Sequence, residues 1–163
     1  MARPFDRFES LARRAHRFTE RDARDQVPTH PFDERGIHAA LPHVVRSLFD
    51  NGHYAQATFE AFKYVDKLVE HLGGASKTGV PGMMQAFSET SPLVQLTPCL
   101  TTSDKDEQEG YKFLFAGSIL AIRNPRGHEF SVKDGPDTCL DHLALASMLL
   151  RRLESAGYDV SMT

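Results

Sequence analysis

Arg123-Asn124-Pro125-Arg126-Gly127-His128 brings together side chains suited to phosphate chemistry. A guanidinium grips two phosphate oxygens through a fixed fork of N–H donors, and an imidazole moves a proton near neutral pH. The spacing alone says little. With 13 arginines and 8 histidines in 163 residues, chance supplies about two Arg/His pairs with four to six intervening residues, and Arg24/His30 and Arg46/His53 are such pairs. Context sets Arg123 apart. It alone is followed by an amide side chain and a proline, at the end of the most apolar stretch of the chain, where polar groups are costly without a task or a partner.

Other chemistries find little support. The chain has no GxxxxGK[ST] phosphate loop, no GxGxxG after a strand, no HExxH and no GxSxG. His38 and His43, five apart on a helix, do not share a face, and Cys99 and Cys139 stand 40 positions apart without a CxxC pattern, so neither a metal nor a cofactor is expected. A net charge of −3 excludes a global attraction for nucleic acid. Residues 1–25 hold seven arginines against five acids, an excess that reads as a solvated helix face. No apolar run approaches the roughly 20 residues that cross a bilayer, and MARPFDRFESLARR lacks the apolar core of a signal peptide, so the expected setting is the cytoplasm, away from membrane. At 40% hydrophobic and 25% charged residues, the composition is that of a globular domain.

The elements that must position the motif read as helices. Phe5, Phe8, Leu11, Ala12, Ala15 and Phe18 recur at helical steps and predict an amphipathic N-terminal extension over residues 1–27, with a hinge at Pro28 and Pro31. A domain over 28–156 follows. From Asp33, Ile37, Leu41, Val44, Val45, Leu48 and Phe49 predict a helix bent at Pro42 and ended by Asn51-Gly52. Tyr54, Ala57, Ala61, Val65, Leu68 and Leu72 predict the next, from His53 to Gly73. Residues 73–103, rich in glycine and proline, predict an irregular loop insertion, either a lid or a packed loop, with a short strand at Leu93 to Leu96. Ser103 reads as an N-cap, and Tyr111 to Ile122, apolar on nearly every side, as the central and most buried helix. A last helix starts near Gly135-Pro136 and turns Leu140, Leu143, Ala144, Ser147, Leu150 and Leu153 inward, followed by a frayed tail over 157–163. The fold class is an all-α bundle.

Residues 30 to about 152 resemble the HEPN superfamily (higher eukaryotes and prokaryotes nucleotide-binding), and within it the bacterial Ymh-type proteins. The matching pieces are His30-Pro31, the Asp50-Asn51-Gly52-His53-Tyr54 turn with Glu60-Ala61-Phe62-Lys63, Met83-Met84, Gly110 to Gly117, Arg123-Asn124-Pro125 with His128, and Ala146-Ser147. One departure is Gly127, where similar proteins usually carry alanine. The resemblance implies a helical bundle whose R-x4-6-H motif lies at a homodimer cleft. It further implies metal-independent cleavage of RNA, often by a toxin or an antiphage effector with an antitoxin or other defence-system partner. Carried over, Arg123, Asn124 and His128 become catalytic, while Arg126, His53, Glu60 and Lys63 become candidate substrate contacts. Each has a plainer alternative: His128 bonded to backbone, Arg123 in a structural ion pair, Asn124 as a turn former before proline, and Glu60 with Lys63 as a surface pair. The superfamily also contains inactive members, so a binding module is the alternative function, and a purely structural helical adaptor a third.

Overall fold

The computed structural model describes residue 9 and residues 29–74, 76–128 and 132–162. The chain divides into two units between Glu34 and Arg35. In the first, α1 (Pro31–Glu34) is a single turn opened by Pro31, whose missing amide is not needed at that position. The apolar residues of the predicted N-terminal helix, and Pro28 of the predicted hinge, lie outside the described residues.

The second unit is all-α: α2 (His43–Asp50), α3 (Tyr54–Gly73), α4 (Gly79–Ala86), α5 (Thr102–Ser118), a π-helical turn (Ile119–Arg123), α6 (Asn124–His128) and α7 (Pro136–Ser155). The predicted helix from Asp33 is shorter than expected. Pro42 stands before α2 as its N-cap residue, with φ −55° and ψ 141°, and does not bend a longer helix. Its ring disfavours helical geometry in Leu41 before it, and Arg35 to Ala40 are turns and irregular chain.

The centre of the bundle is α3, which packs against α2, α4, the π-helical turn, α6 and α7. Its apolar residues Ala57, Ala61, Val65 and Leu68 are fully enclosed, and Gly74, with φ +55°, supplies the left-handed residue that ends it. The predicted primacy of Tyr111 to Ile122 is overturned. Phe115, Ala116 and Ile119 are buried, but Phe113, Leu114 and Leu120 are 56%, 47% and 60% exposed. Apolar residues surround this helix, yet the described residues cover only one of its sides.

The segment predicted as an irregular insertion contains α4 and is packed down, with Met83, Phe87, Val94 and Leu96 buried. Leu93 to Leu96 is bent chain, not a strand. Gln108 explains why: fully buried on α5, it accepts the Leu96 amide (2.8 Å) and donates to the carbonyls of Val94 (3.0 Å) and Phe87 (3.5 Å). These backbone groups are therefore paired by a side chain where a strand would use a neighbour. Thr101, not Ser103, caps α5, in a capping box with Asp104. As predicted, α7 starts with Pro136 and buries Leu140, Leu143, Ser147, Leu150 and Leu153, whereas Ala144 is only half-buried. The tail is not frayed over its described residues, 157–162. Val160 is buried, the Tyr64 hydroxyl donates to its carbonyl, and the Tyr158 hydroxyl accepts the Gln95 amide.

Gln108→Leu should lower the unfolding free energy in urea by at least about 2 kcal/mol, since buried groups left unpaired cost about 1–3 kcal/mol each. Gln108→Glu keeps the acceptor for Leu96 but sets a buried carboxylate against the Val94 and Phe87 carbonyls, and should lose at least as much.

Candidate active site

Residues 102–128 form one continuous helical rod that changes pitch just before the motif. The Asn124 amide donates to the Ile119 carbonyl, five residues back. Pro125 accounts for the change: it has no amide to offer Ala121, and its ring crowds that carbonyl, so the widened turn removes the conflict without ending the helix. Asn124 keeps helical geometry, φ −63° and ψ −45°, although a proline follows it. It is therefore not the turn former that a residue before proline suggests.

The motif side chains divide between two faces. Arg123 and Gly127, four apart, both face Phe59 on α3. The Arg123 guanidinium carbon lies 5.5 Å from the ring centroid, and a β-carbon on Gly127 would come within 2.8 Å of the ring edge. Glycine at 127 thus lets Phe59 lie beneath Arg123. Asn124 and His128, also four apart, share the neighbouring face, and His128 is exposed at the end of α6. Arg123 Nη1 donates to Asn124 Oδ1 at 3.1 Å, its Nη2 lies 3.8 Å from Asp66 Oδ2, and its Nε is buried without a partner among the described residues.

The other candidates separate. Lys63 Nζ sits 5.9 Å from the centroid of the same Phe59 ring and is paired with Glu60 at 3.1 Å, the surface pair that the spacing suggested. His53 stands exposed before α3, six residues ahead of Phe59 and about 9 Å away along the helix axis. Arg126 does not present its guanidinium outward. Its side chain is 9% exposed, bidentate on Asp134 at 2.6 Å for both bonds, with Nη1 donating to the Ile122 carbonyl at 2.7 Å. It clasps α6 to the chain leading into α7, and removing either member of such a buried pair leaves an uncompensated charge.

Sequence reasoning missed Phe59, Asp66 and Asp134. A signal existed for Asp66: it is a carboxylate between the buried Val65 and Leu68. His142, on α7, borders the Arg126 clasp; its Nδ1 is buried without a partner among the described residues. Burial pushes its imidazole below the ordinary value, and Arg126 adds to this against the pull of Asp134 and Asp141. Burial likewise pushes the Cys139 thiol up, away from reactivity. Among the described residues no group of His, Cys, Asp and Glu could hold a metal ion, and no helix is long and apolar enough to cross a membrane.

A family model described as "Protein of unknown function (Hypoth_ymh)" matches residues 35–153. The chain belongs to this family. The Hypoth_ymh match contains α2 through the body of α7, and with them Phe59, Asp66, Arg123 and His128. No curated protein and no solved structure matches the chain.

The lowered His142 value fixes a sign. Unfolded chains take up the proton at about 6.5, folded ones only at lower pH, so stability falls as pH drops below about 6.5. The thermal midpoint should fall between pH 7.5 and pH 5.5, and His142→Gln should reduce that slope; an unchanged slope would place the acid sensitivity elsewhere.

Proposed function

We propose that two copies of this chain form a metal-independent endoribonuclease of the HEPN type, with Arg123, Asn124 and His128 of each copy at the interface. The observation that carries this reading is continuity on one rod. Gly110, Phe113, Leu114, Gly117, Leu120 and Ala121 are exposed and follow one another at steps of three and four, and the line continues into Asn124 and His128. An apolar stripe of this kind on the surface favours association, and two glycines allow close approach. An isologous contact through it sets each motif against its own copy. The guanidinium of one copy can then act with the imidazole of the other, which adds acid-base and charge capacity to a sparse Arg/His pair.

RNA provides its own nucleophile. His128 takes the proton from the ribose 2′-hydroxyl as its oxygen attacks phosphorus, and an imidazolium, from the same or the second copy, protonates the 5′-oxygen as the P–O5′ bond breaks. Arg123 neutralises the charge growing on the phosphate oxygens. Asn124 engages Arg123 through Oδ1, which leaves its amide N–H groups for a phosphate oxygen. Lys63 adds positive potential at the same edge. The products are a 2′,3′-cyclic phosphate and a 5′-hydroxyl. By the same resemblance, the chain acts as a toxin or antiphage effector in the cytoplasm and has an antitoxin or other defence-system protein as its partner.

Purified protein incubated with total RNA should cleave it equally with and without EDTA, leave DNA intact, and lose about 10²–10⁴-fold in rate in a folded His128→Ala variant. Cleavage that survives His128→Ala or disappears with chelator would contradict the mechanism. Tight RNA binding without cleavage would establish the binding module in its place.

A further inference from the structure

Asp66 has no role in the reading above, yet its position is unusual. It lies inside the buried face of α3 with a side chain only 5% exposed, where a carboxylate is costly unless its oxygens are engaged. Oδ1 accepts the amide of Gly79, the first residue of α4, at 2.9 Å. A neutral acceptor would serve that amide as well, so this bond does not account for the charge. Oδ2 does: it faces Arg123 Nη2 at 3.8 Å, inside ion-pair range but beyond hydrogen-bond length.

We propose that Asp66 is the positioning residue of the site: it aims the Arg123 guanidinium by charge without occupying the N–H groups of Nη2. The guanidinium then has three fixed sides. Phe59 supports its face at 5.5 Å, Asn124 holds Nη1 at 3.1 Å, and Asp66 draws Nη2, which makes no hydrogen bond among the described residues and is left to take a phosphate oxygen. Because Oδ1 is tied to Gly79, the carboxylate is itself oriented by the start of α4. The packed segment after α3 thereby helps to set the geometry of a residue far along the chain. A guanidinium fixed before substrate arrives stabilises transition-state charge without first having to be ordered.

This proposal rests on the ribonuclease reading for its catalytic consequence but not for its geometric one, and the test separates them. Asp66→Asn keeps an acceptor for Gly79 and removes the charge. Steady-state cleavage should show kcat reduced about 10- to 100-fold with KM changed much less, at a thermal midpoint close to the parent's. In parallel, the Arg123 Nε–H, buried in the parent, should exchange with water faster in Asp66→Asn when followed by NMR on side-chain-labelled arginine. Unchanged kcat together with unchanged exchange would overturn the proposal, as would a variant whose only defect is stability. If the parent protein cleaves no RNA, the ribonuclease reading fails, and the exchange measurement alone decides whether Asp66 orders Arg123. Should Asp66→Asn not fold, Asp66→Glu, which keeps the charge but displaces it, is read by the same measurements and the same expectations.

Discussion

A proline inside a helix is the constraint on which the candidate site depends. Pro125 offers no amide to the carbonyl four residues back and crowds it, and the chain answers with a π-helical turn at Ile119–Arg123 in place of a break. Had the helix ended, Arg123 and His128 would belong to a turn set by its own local conformation. With the rod unbroken, Arg123 and Gly127 are directed at α3, while Asn124 and His128 remain on the outer side. One irregularity divides the motif into a supported half and an exposed half.

The supported half draws its order from α3. That helix is held on several sides by α2, α4 and α7, so Phe59 and Asp66 stand on a packed element where they meet Arg123. Gly127 fits this arrangement: an added β-carbon would meet the Phe59 ring at 2.8 Å and displace the surface beneath Arg123. Arg126, next to it in sequence, is committed to Asp134 and the Ile122 carbonyl and keeps α6 in place. Two arginines three positions apart thus have opposite tasks, and burial tells them apart, at 27% exposed for Arg123 and 9% for Arg126.

Much of the bundle was legible because apolar periodicity reports which face of a helix avoids water. Tyr54 to Leu72 and Leu140 to Leu153 each carry one clear stripe, and both helices stand where the pattern places them. The same pattern failed for Phe113, Leu114 and Leu120, since periodicity marks a face as apolar without saying whether its own chain covers it. Gln108 was illegible for another reason: a glutamine in a polar run gives no sign that it will pair the backbone of a preceding segment. The motif was visible through residue type, as arginine, amide and histidine are the groups that handle phosphate. Phe59 and Asp66 come from an earlier helix and join the site only through packing, which local spacing does not encode.

The central claim is that the site is shared between two copies, with the apolar stripe of α5 bringing the motifs together. Subunit mixing tests it most directly. Arg123→Ala and His128→Ala proteins, each inactive alone, are mixed after mild denaturation and refolding, and the heterodimer is confirmed by differential tags. A shared site regains part of the parent cleavage rate in the heterodimer, because one copy supplies the guanidinium and the other the imidazole. Heterodimers that form and remain as inactive as either parent variant would contradict the account, since each site would then lie within a single chain.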